Sequence, residues 1–100
     1  MSGETVGDRG HILVVEDDMI IADLIDQILS FESFRVSHVI DGKSAVEFVV
    51  AQRPDLVLMD LMLPIMSGIE ASRQIKAHPV EIVSSTPVVA MSAGVNLRAA

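Results

Sequence analysis

Residues 55–64 read D-L-V-L-M-D-L-M-L-P, an apolar run from Leu56 to Met59 that ends on a carboxylate, Asp60. The run shows no polar alternation, which suits a strand covered on both faces, as in a parallel sheet. Asp60 is the first polar group out of that strand, at the C-terminal end where open α/β sheets keep their chemistry. Pro64 removes a backbone donor and biases Leu63 away from helix, so residues 61–66 read as a loop. Asp60 is therefore expected at a strand-to-loop junction, facing solvent. Alone, such an aspartate commonly does no more than cap the next turn. It gains meaning from Glu16, Asp17 and Asp18, which close a second apolar run, Ile12 to Val15.

The remaining segments fall around these two runs. Residues 1–10 are polar and aperiodic and read as a flexible lead-in. Residues 11–16 form the first strand, with His11 as an edge-of-core histidine. Asp17 or Asp18 is placed to cap the helix that follows. Over residues 19–31, Ile20, Leu24, Ile28 and Phe31 make one apolar row with Ile21, Ile25 and Leu29 beside it, a stripe wide enough to be buried on more than one side. Residues 34–39 read as a second strand, Asp41-Gly42 as a turn and residues 43–51 as a second helix turning Ala45, Val46, Phe48 and Val49 to the sheet. Ser67-Gly68 opens a third helix running to His78, with Ile69, Ala71 and Ile75 inward and Pro79 as its stop. His78 reads as a helix-end residue. Residues 80–85 connect to a fourth strand, residues 88–91, which ends on Ser92; residues 93–100 have room to begin a helix. Alternation of strand and helix with tight connections predicts a parallel sheet joined by right-handed crossovers.

The composition bounds what such a sheet can serve. One hundred residues make a single small domain with little stability in reserve. The net charge of −7 and a sequence pI near 4.6 argue against a direct nucleic-acid surface, which wants a basic patch. No apolar run is long enough to span a bilayer and the first ten residues lack the apolar core of a signal peptide, so a cytoplasmic protein is expected. The lack of cysteine removes disulfides and thiolate zinc sites.

With the first and third strands as neighbours, Glu16, Asp17 and Asp60 converge at one edge of the sheet and Ser92 arrives from the fourth strand. Three carboxylates at close range repel one another unless a cation offsets them. All-oxygen ligation with room for water and a phosphate suits Mg²⁺, or Mn²⁺ as a substitute. A carboxylate can attack phosphorus when the phosphoryl oxygens are neutralised, which makes Asp60 the candidate nucleophile.

The blocks H-I-L-V-V-E-D-D, D-G-K-S-A, D-L-V-L-M-D-L-M-L-P-I-M-S-G-I-E and T-P-V-V-A-M-S-A, in this order, resemble the receiver domain of bacterial two-component response regulators over residues 11–94. The resemblance implies a flavodoxin-like fold and a phosphoryl group passed from the histidine of a sensor kinase, or from a phosphotransfer protein, to an aspartate; a receiver is a phosphoacceptor that promotes its own phosphorylation and dephosphorylation, not a turnover enzyme. Asp60 matches the phosphoacceptor. Glu16 and Asp17 match the acidic pair that holds Mg²⁺ with Asp60, Met62 matches the position that ligates metal through its main-chain carbonyl, and Ser92 matches the switch hydroxyl. Asp18 falls past the pair and is left as the helix cap.

The sequence departs from the family pattern at its end. The lysine, the fifth strand and the last helices of a receiver have no counterpart, so the expected architecture is a strand order of 2-1-3-4, with residues 1–10 as the lead and 11–100 as a truncated receiver. Loss of the lysine ammonium is expected to weaken both phosphoryl transfer and the switch it drives. An unpaired fourth strand leaves apolar surface bare. Burial of about 500 Å² at about 25 cal/mol per Å² offers about 12 kcal/mol before association costs, so a homodimer through the Val88–Met91 edge or the uncovered faces is expected. The competing reading is a phosphorylation-independent dimerisation or interaction module descended from a receiver.

Overall fold

The computed structural model describes residues 9–91. The order is β1 (His11–Val15), α1 (Met19–Phe31), β2 (Arg35–Val39), α2 (Gly42–Gln52), β3 (Leu56–Asp60), α3 (Gly68–Lys76), α4 (Glu81–Ser84) and β4 (Val88–Met91). The strands form one parallel sheet in the order β2-β1-β3-β4, as the alternation of strand and helix predicts. Ser92 and the helix expected over residues 93–100 lie outside the described residues.

The unalternated strands are buried from both sides. Leu13 and Val15 of β1 and Val57 and Met59 of β3 share a core with Ala45 and Val49 of α2, Ala71 and Ile75 of α3 and Val83 of α4. Ile12 and Val14 alternate to the opposite face and are also buried, on the side that α1 covers. Each long helix starts on a side-chain cap: Asp18 accepts from the N–H groups of Ile20 and Ile21, Asp41 from Ser44 and Ser67 from Glu70. Arg53 ends α2 in the left-handed region at φ 51°, just before Pro54. The third helix stops at Lys76, two residues before His78, with Pro79 just beyond it; past the helix end the His78 ring accepts the Val80 N–H at Nδ1. The connector over residues 80–85 contains the short helix α4.

Three expectations are corrected. The α1 row is not buried on two sides: exposure runs from 55% at Leu24 to 85% at Phe31, with Ile20 and Ile28 between. Only Ala22 is fully buried on this helix, with Ile21, Ile25 and Leu29 half-buried, so a single face meets the sheet. Ile69 is exposed, since Ala71 and Ile75 carry the packing of α3. Arg9 and Gly10, assigned to the lead-in, are held: the Arg9 N–H donates to the Ser33 carbonyl, its guanidinium lies 4.7 Å from the Phe34 ring centre, and the Gly10 carbonyl accepts from Arg35.

Candidate functional site

β1 and β3 are adjacent and parallel, with Val15 opposite Met59, so the residues that follow, Glu16 and Asp60, leave the sheet side by side. Asp17 joins them from the start of the β1–α1 turn. One carboxylate oxygen from each of Glu16, Asp17 and Asp60 lies within 4.8 Å of the others. The convergence expected from the sequence is thus present.

The three acids do not sit alike. Glu16 is 2% exposed and Asp60 8%, whereas Asp17 is open to solvent. The burial of Asp60 corrects the expectation that it faces solvent: its Oδ1 accepts the Met62 N–H at 3.0 Å, and the main chain at Gly68 closes against its backbone. Glu16 Oε2 accepts the Asp18 N–H at 3.0 Å. Asp18 turns its own carboxylate to the α1 N-terminus, so it serves as the cap and not in the cluster. Burial pushes the Glu16 carboxyl above its ordinary range; the hydrogen bond from the Asp18 N–H opposes it, and the nearby Asp60 and Asp17 add to the rise.

The raised basicity of Glu16 among neighbouring carboxylates is what a hard divalent cation would relieve. The donor set, all oxygen and partly open on the Asp17 side, fits Mg²⁺. The loop that follows Asp60 carries Met62 with its side chain 74% exposed, and Ile65 at φ 66°, a conformation that β-branched residues seldom adopt. His11 lies at the other end of the sheet, where its Nε2 meets the Ser37 hydroxyl at 2.7 Å. There it lines a cavity of about 550 Å³ with Phe34, Arg35, Phe48 and Gln52, remote from the acids. His78 makes a local turn contact, as its place at a helix end implied.

Fold and acidic rim together are those of a receiver, and the family model for the response regulator receiver domain matches residues 12–100. The chain belongs to that family, the phosphoacceptor domains of two-component response regulators. It is 41% identical over 85 residues, 85% of its length, to the DNA-binding response regulator MtrA of Mycobacterium tuberculosis, covering 35% of that protein. To the transcriptional regulatory protein CseB of Streptomyces coelicolor it is 36% identical over 88 residues, 88% of this chain and 36% of that one. The chain therefore spans about a third of the length of these curated relatives. Among solved structures, the receiver domain of a sensor histidine kinase from Pseudomonas aeruginosa PAO1 superimposes with a TM-score of 0.79 at 36% identity, covering 85% of this chain and 68% of that one. That protein holds a magnesium ion coordinated in its active site cleft. The N-terminal domain of a response regulator receiver protein from Methanoculleus marisnigri JR1 gives a TM-score of 0.78 at 33% identity, covering 84% of this chain and 67% of that one.

Among the described residues no helix is long and apolar enough to cross a membrane.

Proposed function

We propose that this receiver takes a phosphoryl group onto Asp60 in a site that holds Mg²⁺, with Mn²⁺ as a substitute, through Glu16, Asp17, Asp60 and the main-chain carbonyl of Met62. The observation that carries the reading is the gathering of three carboxylates from two adjacent strand ends within 4.8 Å. The donor is the phosphohistidine of a sensor kinase or a phosphotransfer protein. A carboxylate oxygen of Asp60 bonds to phosphorus, the P–N bond breaks, and the imidazole leaves with the electron pair, giving an acyl phosphate. Bound Mg²⁺ supplies positive charge to the phosphoryl oxygens. Asp60 suits the nucleophile because the Met62 N–H fixes one of its oxygens and so orients the other. Ser92 is assigned as the switch hydroxyl by family resemblance. The product is a modified protein, so the chain acts as a phosphoacceptor that promotes gain and loss of its own phosphate. Incubation with a small acyl phosphate and Mg²⁺ is expected to add the mass of one phosphoryl group to the intact chain, mapped to Asp60; no adduct at any donor concentration contradicts the proposal.

A second proposal, homodimerisation through β4, is favoured by the position of that strand at the edge of the described sheet and by the 48% exposure of Val89. Sedimentation equilibrium is expected to show a dimer at micromolar concentration that Val89→Lys converts to monomer. A folded wild-type monomer at that concentration removes it.

A further inference from the structure

The last rung between β1 and β2 is made by a side chain. Val15 pairs with Val39, and the Glu16 N–H donates to the Val39 carbonyl at 3.1 Å. In a parallel ladder the carbonyl of that same residue turns to the same neighbour and receives an N–H from two residues further along it, here Asp41. β2 has ended by then: Asp41 is already the cap of α2, at φ −148° and ψ 168°, with its carboxylate turned to Ser44. Among the described residues no main-chain N–H reaches the Glu16 carbonyl. The half-buried ring of His38 takes the position instead, with Nε2 at 2.6 Å from that oxygen. A carbonyl only accepts, so Nε2 carries the proton.

We infer that His38 is a positioning residue for the acidic cluster, its Nε2–H replacing the absent rung and fixing the peptide that joins Glu16 to Asp17. That peptide sets ψ of Glu16 and φ of Asp17, and so the directions in which both carboxylates leave the chain. Glu16 is held through its own N–H, its carbonyl and its Oε2. Of these three bonds, that from His38 alone comes from a side chain and can be removed by substitution without altering the main chain. Partners that orient metal ligands from behind commonly change metal affinity about tenfold or more when lost. The inference rests on the cation reading of the cluster, and its test separates the two.

The test compares the full wild-type chain with His38→Phe, which keeps a ring and loses the donor, and His38→Gln, which keeps an N–H donor. Magnesium affinity is measured by isothermal titration calorimetry, and stability without metal by urea unfolding in EDTA. His38→Phe is expected to weaken magnesium binding about tenfold and His38→Gln to recover most of that loss. A purely structural histidine shifts unfolding in EDTA and leaves the magnesium dissociation constant of the folded protein unchanged, and that result overturns the inference. Wild-type protein that takes up no magnesium overturns the cation reading and this inference with it. Should His38→Phe not fold, nitrogen NMR of the wild-type ring decides: a proton on Nε2, with a resonance that shifts at the same half-saturation as the Asp17 amide on magnesium titration, supports the inference. A bare Nε2, or a ring that ignores magnesium, overturns it.

Discussion

Asp60→Asn is expected to abolish the phosphoryl adduct altogether and, without divalent cation, to make the domain more stable than wild type at neutral pH. Both effects follow from one carboxylate. The amide keeps an Oδ1 to accept the Met62 N–H and so preserves the loop, but it lacks the anionic oxygen proposed to attack phosphorus. It also takes a negative charge away from Glu16, whose carboxyl is raised above its ordinary value of 4.5 first by burial and then by Asp60 and Asp17. An acid that binds its proton more readily in the folded state contributes stability that is fully present below its unfolded value and is lost as pH rises through the folded one. Wild-type protein in EDTA is therefore expected to lose stability as pH rises above 4.5 through the raised Glu16 value. Asp60→Asn shrinks that loss, and magnesium offsets it. Urea unfolding across this pH range, with and without magnesium, measures all three. A wild-type profile flat in pH, or equal adduct on the asparagine variant, contradicts the assignment.

Gly68→Ala is expected to cost about 3 kcal/mol of folding free energy, a large share of the roughly 5 to 15 kcal/mol that holds a domain together. A Cβ on Gly68 would overlap the Asp60 carbonyl oxygen and stand 2.9 Å from both the Asp60 carbonyl carbon and Leu61 Cα. These are backbone atoms at the end of a central strand, with no flexible tip to swing aside. The helix conformation is open to any residue here, so the cost is steric and not a matter of φ. Since α3 starts against the Asp60 backbone, the substitution is also expected to displace the proposed acceptor and lower adduct yield in whatever fraction folds. Unfolding within about 0.5 kcal/mol of wild type would show that the α3–β3 contact is looser than described.

The strands were legible because Ile12 to Val15 and Leu56 to Met59 are apolar without alternation, which few structures other than a doubly covered parallel strand accommodate. The cluster was legible because acids close both runs and the topology makes those runs neighbours. Periodicity along α1 misled for a physical reason: it shows that Ile20, Leu24, Ile28 and Phe31 share a side, and says nothing of whether anything packs there. Ile69 misled in the same way, one residue into α3 and past the reach of its packing face. α4 is too short to show a stripe. Nothing local marked Ile65 for a positive φ, since β-branched residues ordinarily avoid it. His38 was invisible for a different reason. A histidine on an edge strand acquires a task only once β2 is seen to stop two residues before the β1 ladder needs its donor.

Manganese titration followed by amide NMR tests the cation pocket most directly, because paramagnetic broadening marks whichever residues surround the ion. The amides of Asp17, Asp60, Leu61 and Met62 should broaden first and together at substoichiometric manganese, and excess magnesium should restore them. Broadening that starts elsewhere on this acidic surface, or that spreads with no order and resists magnesium, would contradict a cation site built from Glu16, Asp17 and Asp60.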